Sequence, residues 1–272
     1  MSSADEILAR ARAYPFPRPA TSVAIVGDRL FDLVHLDPRD LGRSRVRDET
    51  GERTLAEACA DAGLAPDVLR GRRTGVLAYG SNASPASLGW KFPDERQAVV
   101  PLIRGSIRDV DVVYSSHIAV YGSIPATLQR SPGTAVETFV ALLTDAQREL
   151  VAAWEINGRY AELDVELELE LGVPPARVGA FVSVHGCLTA GGAEIAVAEI
   201  PARGRRFAQM TQPEAIEHVR AAVAPETPTD DFILGNVSDY ARARAYTAQL
   251  RRSARPFAQP LRSPSRRGDS NP

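Results

Sequence analysis

Two places in the sequence combine residue types that suit acid–base chemistry. The first is the stretch VLAYGSNASP, residues 76–85, in which an apolar run ends at Gly-Ser-Asn and continues into Ser-Pro. Ser84 suits the N-cap of a helix and Pro85 suits its first turn. A loop at such a point presents unpaired N–H groups, which favour a carboxylate or an oxyanion, and Gly80 would allow close approach. The alternative interpretation is an ordinary strand-to-helix turn that binds nothing.

The second place is Glu155, at the end of a helix predicted from the segment DAQRELVAAWE. Thr144 and Gln147 form the capping-box pattern that opens this helix. Glu155 lies at the edge of the apolar stripe and at the C-terminus, where the helix dipole disfavours negative charge. Desolvation and the dipole both favour the protonated carboxyl. The alternative is a glutamate at the rim of a pocket, paired with Arg148 or Arg159.

Other reactive side chains do not form recognisable sites. The histidines are His35, His117, His185 and His218. None of them stands at metal-ligand spacing, and two cysteines make neither a disulfide framework nor a cysteine-rich metal site. There is no G-x-S-x-G, G-x-G-x-x-G or Walker-type loop, so neither serine hydrolase chemistry nor a nucleotide cofactor is indicated. We therefore expect no metal and no cofactor.

Composition narrows the class of protein further. The 272 residues carry a net charge of −2 and a pI near 6.1, which gives no electrostatic indication of nucleic acid or a membrane surface. Lys91 is the single lysine among 32 basic residues, a bias that genome composition alone can produce. No apolar run reaches the ~18 residues of a membrane span, and the N-terminus lacks a secretory pattern. The expected location is the cytoplasm.

Residues 1–72 are predicted to form an N-terminal extension with the order αββα. Ser3 with Glu6, and Thr54 with Glu57, form capping-box patterns that open its two helices. The runs SVAIV and LFDLVHL predict its two strands, joined at a turn. The role of the extension is left open between a lid on a pocket, a dimer contact and a packing extension.

Residues 73–252 are predicted to form one α+β domain. Strands are predicted at VLAY, QAVVPLI, VDVVYSS, IAVY, VETFVALL, AELDVELEL, VGAFVSVHGCL and EIAVAEI. Helices follow from DAQRELVAAWE and from PEAIEHVRAAV, each with a capping box. The remaining residues, 253–272, are rich in Pro, Ser and Arg, which predicts a disordered tail.

Together these segments resemble the gamma-glutamylcyclotransferase-like family. VLAYGSNASP resembles the family's Tyr-Gly-Ser-Asn/Leu loop. SIPATLQRSPGTAVETFVALLTDAQRELVAAWEINGRY resembles, in order, its strand, Ser-Pro-Gly turn, next strand, short helix and catalytic glutamate, with a tyrosine five residues later. The resemblance covers residues 74–200 well and does not cover 1–72, and it departs at Ile156, where the family often has Gly. It implies a small mixed β-barrel with short helices.

The resemblance also implies residue roles. Glu155 becomes the general acid/base of a reaction that cyclises a γ-glutamyl group to 5-oxoproline and releases the attached amine or amino acid. The implied substrate-binding residues are Tyr79, Gly80, Ser81, Asn82 and Tyr160. Whether the loop amides hold the substrate carboxylate or its developing oxyanion is left open.

Two other functions are compatible with the same residues. One is a non-catalytic module that binds a small molecule or a partner. The other is an amide hydrolase with water as nucleophile, which would release glutamate instead of 5-oxoproline. The expected partner in each enzymatic case is a small γ-glutamyl compound, and a homodimer is left open.

Overall fold

The structure is a computed structural model that describes residues 3–92, 99–172 and 178–258. Its strands are β1 (Val23–Val26), β2 (Arg29–His35), β3 (Arg45–Asp48), β4 (Gly51–Thr54), β5 (Arg73–Ala78), β6 (Val99–Tyr114), β7 (Ala126–Thr144), β8 (Gly158–Glu162), β9 (Leu167–Leu169), β10 (Val178–Ser183), β11 (Thr189–Ala190), β12 (Ala193–Val197), β13 (Ala202–Arg203) and β14 (Ala208–Met210). Its helices are α1 (Ala4–Arg12), α2 (Leu55–Asp61), α3 (Pro85–Gly89), α4 (Asp145–Trp154), α5 (Gln212–Val223), α6 (Thr229–Ser238) and α7 (Tyr240–Leu250).

A mixed, mostly antiparallel sheet is built around the long pair β6 and β7. The order is β4-β3-β2-β1-β6-β7-β5-β10-β8, with β9 and β12 also paired to β6 and β13 paired to β7. The predicted α+β class is therefore confirmed. The predicted small barrel is not confirmed, because this path ends at β4 on one side and at β8 on the other among the described strands. The sheet is open there.

The N-terminal extension contains more strands than the sequence indicated. Between the predicted strands β1 and β2 and the helix α2 lies a second hairpin, β3 and β4, so the order is αββββα. Its residues are largely charged and only Val46 is buried, so alternation gave no signal. β1 pairs with β6, so the sheet runs without a break from the extension into the rest of the chain. The domain division at residue 72 stays a prediction.

Several predicted strand boundaries differ from the structure. Residues 99–103 of QAVVPLI and 110–114 of VDVVYSS belong to the single strand β6, and the first two residues of QAVVPLI lie outside the described residues. The expected Ser-Pro-Gly turn lies inside β7. The register of β6 and β7 shifts opposite this turn, and Asp109 Oδ1 accepts a 2.8 Å hydrogen bond from Gly133 N. A bulge thus accommodates Pro and Gly within a strand. AELDVELEL is divided between β8 and β9, and IAVY is a turn.

Helix starts were more predictable. All four capping boxes are formed, at Ser3, Thr54, Thr144 and Thr211. Each is a local pattern of one hydroxyl and one carboxyl or amide three residues apart, so it needs no tertiary contact.

The end of the chain is only partly described. Residues 253–258, which begin the predicted tail, include Arg255, which bridges to Cys187; the rest of that tail lies outside the described residues. No helix in the described part of the chain combines the length and the apolar character that crossing a bilayer requires.

Candidate active site

A cavity of about 690 Å³ opens where β5 ends and α4 terminates. Five of the six residues expected to form the site line it: Tyr79, Gly80, Ser81, Asn82 and Glu155. The sixth, Tyr160, is not among the lining residues. The volume falls in the ~300–1,000 Å³ range of small-molecule pockets.

Glu155 is positioned by the end of α4. Its N–H donates to the carbonyls of Val151 (3.2 Å) and Ala152 (3.1 Å), and its φ and ψ of −87° and 48° leave the helix. Its own carbonyl accepts from Gly158 N at 2.8 Å, which turns the chain into β8. The helix end therefore fixes the backbone of Glu155 at the cavity wall.

The side chain of Glu155 belongs to a triangle with Asn82 and Lys91. Its Oε1 accepts from Lys91 Nζ at 2.7 Å and from Asn82 Nδ2 at 3.0 Å. Lys91 Nζ also donates to Asn82 Oδ1 at 2.6 Å, which closes the triangle. Both bonds to the carboxylate end on Oε1, so within the described chain Oε2 is the oxygen left for a substrate.

This triangle changes the expected electrostatics of Glu155. The side chains of Lys91 and Glu155 are 11% and 25% exposed, so their attraction is less screened than at an open surface. The ammonium of Lys91 gives Glu155 a counter-charge that the sequence did not indicate. The expected pairing with Arg148 is wrong: Arg148 pairs with Asp145 at 3.4 Å and lies over the ring of Tyr160.

Lys91 is a site residue that sequence reasoning missed. The signal was present, because it is the single lysine in a chain whose other 31 basic residues are arginine (32 − 1). A compact ammonium with three donors suits a point contact to one carboxylate oxygen and one amide, where arginine would present a planar fork.

Gly80 is needed for a different reason from the one expected. A Cβ at this position would lie 2.4 Å from the hydroxyl oxygen of Tyr14, a residue of the N-terminal extension. The glycine is therefore required by packing of the extension against the loop, independently of any ligand. The following Ser81–Ala83 form a 3-10 turn, and Ser84 with Pro85 opens only the five-residue α3.

Tyr79 and Tyr160 have structural partners. The hydroxyl of Tyr79 donates to the carbonyl of Phe181, and burial raises the pKa of this phenol far above its usual range, so it stays protonated. The ring of Tyr160 packs on β10, where a Cβ on Gly179 would lie 2.3 Å from it. The ring fills the space above Gly179, and a contact between Tyr160 and substrate stays a prediction.

The N-terminal extension supplies one wall of the cavity. The rings of Tyr14, Phe16 and Tyr121 lie within 5.7–6.5 Å of one another. Tyr14 is buried, and its hydroxyl accepts from Ala126 N at 2.7 Å. Arg10 lies 4.6 Å above the ring of Trp90. The extension therefore lines part of the cavity, and the choice between a lid, a dimer contact and a packing extension stays open.

A buried polar chain lies at another part of the wall. His117 lines the cavity, and its Nδ1 is 2.7 Å from Ser115 Oγ, which in turn donates to Ser183 Oγ at 2.6 Å. The ring of His185 lies 5.0 Å away. Burial, and secondarily His185, lowers the pKa of His117 to about 3, so this imidazole is neutral at physiological pH. The four histidines are not brought together, and no metal-binding cluster of three occurs within the described ranges.

Comparisons with known proteins add a partial likeness to a solved structure. No protein-family model matches the chain, and no curated protein matches its sequence. A search of solved structures finds a gamma-glutamyl cyclotransferase with a TM-score of 0.35 and 15% identity, covering 42% of this chain and 68% of that one. The match bears the family name suggested by the sequence motifs. It is a likeness of part of the chain trace, so the functional proposal rests on contacts within this chain.

Proposed function

We propose that this chain is an enzyme that cyclises a γ-glutamyl group to 5-oxoproline and releases the attached amine or amino acid. Glu155 is the general acid/base, and the loop of residues 79–82 lies beside the substrate. The observation that supports this best is the triangle of Asn82, Lys91 and Glu155 in the cavity wall.

The triangle complements the charges of a glutamyl group. The α-carbon of that group carries an ammonium and a carboxylate, and the wall presents a carboxylate beside an ammonium. Oε2 of Glu155 is available to the α-ammonium. Lys91 has three donors and uses two within the triangle, which leaves one for the α-carboxylate. Opposite charges in a shielded cavity attract more strongly than they do in water.

The reaction then needs an attack within one molecule. The α-ammonium loses one proton to solvent and becomes a nucleophile. Its nitrogen bonds to the γ-carbonyl carbon, and Glu155 takes a second proton from it. The bond from that carbon to the leaving nitrogen breaks, and Glu155 returns its proton to this nitrogen, which gains another from solvent. No electron is gained or lost, so no redox partner is needed.

Two further features lower the barrier. Because nucleophile and carbonyl belong to one molecule, orientation replaces a second reactant and can contribute on the order of 7 kcal/mol or more. The first hydrogen bond of the 3-10 turn runs from Ala83 N to Gly80 O. The N–H groups of Ser81 and Asn82 come before it in the chain, so the turn itself does not use them. With Lys91 assigned to the α-carboxylate, these amides suit the oxyanion, where one donor is worth roughly 3–4 kcal/mol.

The test is release of 5-oxoproline from a panel of γ-glutamyl compounds, followed by mass spectrometry. Glu155→Gln keeps the shape of the side chain and removes its basicity, and we expect turnover to fall by about 10²–10⁴-fold. Glu149→Gln is the matched control, because Glu149 lies on the exposed side of the same helix α4 and does not line the cavity.

The products separate the three candidate functions. Turnover unchanged in Glu155→Gln, or no 5-oxoproline from any compound, contradicts the proposal. Free glutamate in place of 5-oxoproline identifies an amide hydrolase. Thermal stabilisation by γ-glutamyl ligands without turnover identifies a binding module.

A further inference from the structure

The mouth of the cavity exposes large apolar side chains. Trp90, Val120, Trp154 and Ile156 line it and are 54%, 52%, 63% and 66% exposed. Only Leu30 and Val184 are comparably large and exposed elsewhere in the described residues. Single exposed apolar residues are ordinary, but a group of them around one opening indicates a surface that is covered when the protein acts. We name these four residues the apolar rim.

The apolar rim is joined directly to the reactive residues. Trp154 and Ile156 flank Glu155 along the chain, and Trp90 precedes Lys91. At helical spacing, Trp154 lies on the same side of α4 as Leu150 and Val151. In the structure Val151 is buried and Trp154 faces solvent at the cavity. A tryptophan in this position is free to contact whatever is attached to a bound substrate.

Arg10 holds part of the apolar rim in place. The guanidinium of Arg10 lies 4.6 Å from the ring centroid of Trp90 and 5.5 Å from that of Tyr121. A guanidinium over an aromatic face is attracted by the negative charge of the ring face. The ring of Trp90 therefore has a preferred orientation before any ligand arrives.

The size of the cavity indicates what would cover the apolar rim. At about 690 Å³ it matches pockets that hold drug-sized ligands, and a γ-glutamyl group alone is much smaller. If the triangle holds the α-carbon end, the attached amine extends along the rest of the cavity toward the mouth. A polar leaving group that enters an apolar part of the cavity loses its hydrogen bonds to water and gains none from the wall. An apolar leaving group is stabilised there because its surface is removed from water.

We propose that the substrates are γ-glutamyl compounds whose attached amine carries a bulky apolar group, seated against Trp90, Val120, Trp154 and Ile156. This specificity rests on the proposed cyclisation reaction and adds the class of leaving group to it.

The test compares γ-glutamyl-phenylalanine, γ-glutamyl-glutamine and γ-glutamyl-alanine. All three carry the same carboxylate on the leaving residue, so they differ only in the group that would meet the apolar rim. We expect kcat/KM for the phenylalanine compound to exceed the other two by about tenfold or more, the scale on which apolar pockets discriminate. Release of 5-oxoproline is the measurement.

Two variants locate the preference. Trp154→Ser removes an exposed ring and should lower the ratio of kcat/KM for γ-glutamyl-phenylalanine to that for γ-glutamyl-glutamine about fivefold or more. Leu30→Ser is the control, because Leu30 is 50% exposed and does not line the cavity. It should change neither substrate.

The outcomes are distinguishable. Product from all three compounds with equal kcat/KM overturns the apolar specificity and leaves the cyclisation reaction standing. If the preference for γ-glutamyl-phenylalanine is unchanged in both Trp154→Ser and Ile156→Ser, the apolar specificity of the rim is also overturned. The apolar rim would then be explained by contact with another protein. No product from any compound overturns the cyclisation reaction and, with it, this inference.

Discussion

The tripeptide Tyr-Gly-Ser occurs twice, at residues 79–81 and 121–123, and the two copies differ in almost everything except their letters. Gly80 has φ and ψ of −106° and −133°, and it is required because Tyr14 lies against it. Gly122 has a φ of +85°, which by itself favours glycine. The first glycine is required by a tertiary contact, and the second is required by the backbone conformation of a local turn.

The flanking side chains differ in the same way. Ser81 lines the cavity, whereas Ser123 is buried and donates to the carbonyl of Ala11 at 2.8 Å. Tyr121 nevertheless lines the same cavity as Ser81, so the copies meet there. Their meeting in space shows that a short motif acquires its role from what packs on it.

The largest effect should come from Gly80→Ala. The new Cβ would lie 2.4 Å from the Tyr14 hydroxyl, which is buried and cannot move aside without losing its bond from Ala126 N. We expect a loss of about 3 kcal/mol in the free energy of unfolding, as for an overpacked core, measured by chemical denaturation. Turnover should fall as well, because Tyr14 forms part of the cavity wall.

A second variant tests the cause of that loss. Tyr14→Phe removes the hydroxyl and leaves Cζ 3.5 Å from the new Cβ, an ordinary contact. In this background Gly80→Ala should cost less than about 1 kcal/mol, a coupling of the size seen for residues in contact. Additive costs would show that the glycine is needed for something other than Tyr14.

Gly122→Ala should have a smaller effect, confined to stability. A left-handed φ costs a residue with a Cβ about 1–2 kcal/mol, and the Cβ would also lie 3.0 Å from Ile233 Cγ2. We expect the free energy of unfolding to fall by about 2 kcal/mol. Gly89→Ala, where no atom lies within 4 Å of the added Cβ, is the matched control and should be neutral or slightly stabilising. Equal losses in the two variants would contradict this explanation.

The smallest effect is a change in the free energy of unfolding per unit of pH. It comes from His117, which lies just before the second Tyr-Gly-Ser copy. His117 has a pKa lowered to about 3 by burial, against about 6.5 in an unfolded chain. Between these values the unfolded state binds the extra proton, so stability rises with pH. The contribution is complete above about pH 6.5 and declines, by up to about 1.4 kcal/mol per unit, as the pH falls toward 3.

His117→Gln should reduce that slope. The measurement is the free energy of unfolding at pH 6.5 and pH 5.5 in both proteins, with the difference between the two pH values compared. His185, whose pKa is also lowered by burial, contributes the same pH dependence to both proteins, so its contribution cancels in the comparison. The same pH dependence in His117→Gln as in the unchanged protein would show that His117 does not supply it.

Much of the local structure could be predicted from the sequence. The capping boxes at Thr144 and Thr211, the turn at Gly80 and the end of α4 at Glu155 follow from patterns a few residues long. The hairpin of β3 and β4 could not be predicted, because its charged residues form a strand only beside β2. The closed barrel was expected from resemblance and is not found in the described pairings.

The sequence by itself determined which residue types could do chemistry and where helices begin, because caps and turns are stabilised by neighbours three or four residues away. Only the tertiary structure decided that Lys91 and Asn82 hold Glu155, that Tyr14 makes Gly80 necessary, and that Trp154 faces the cavity. These contacts join residues far apart along the chain. Local propensity does not encode which distant side chains meet, because that depends on how the whole sheet and its helices pack.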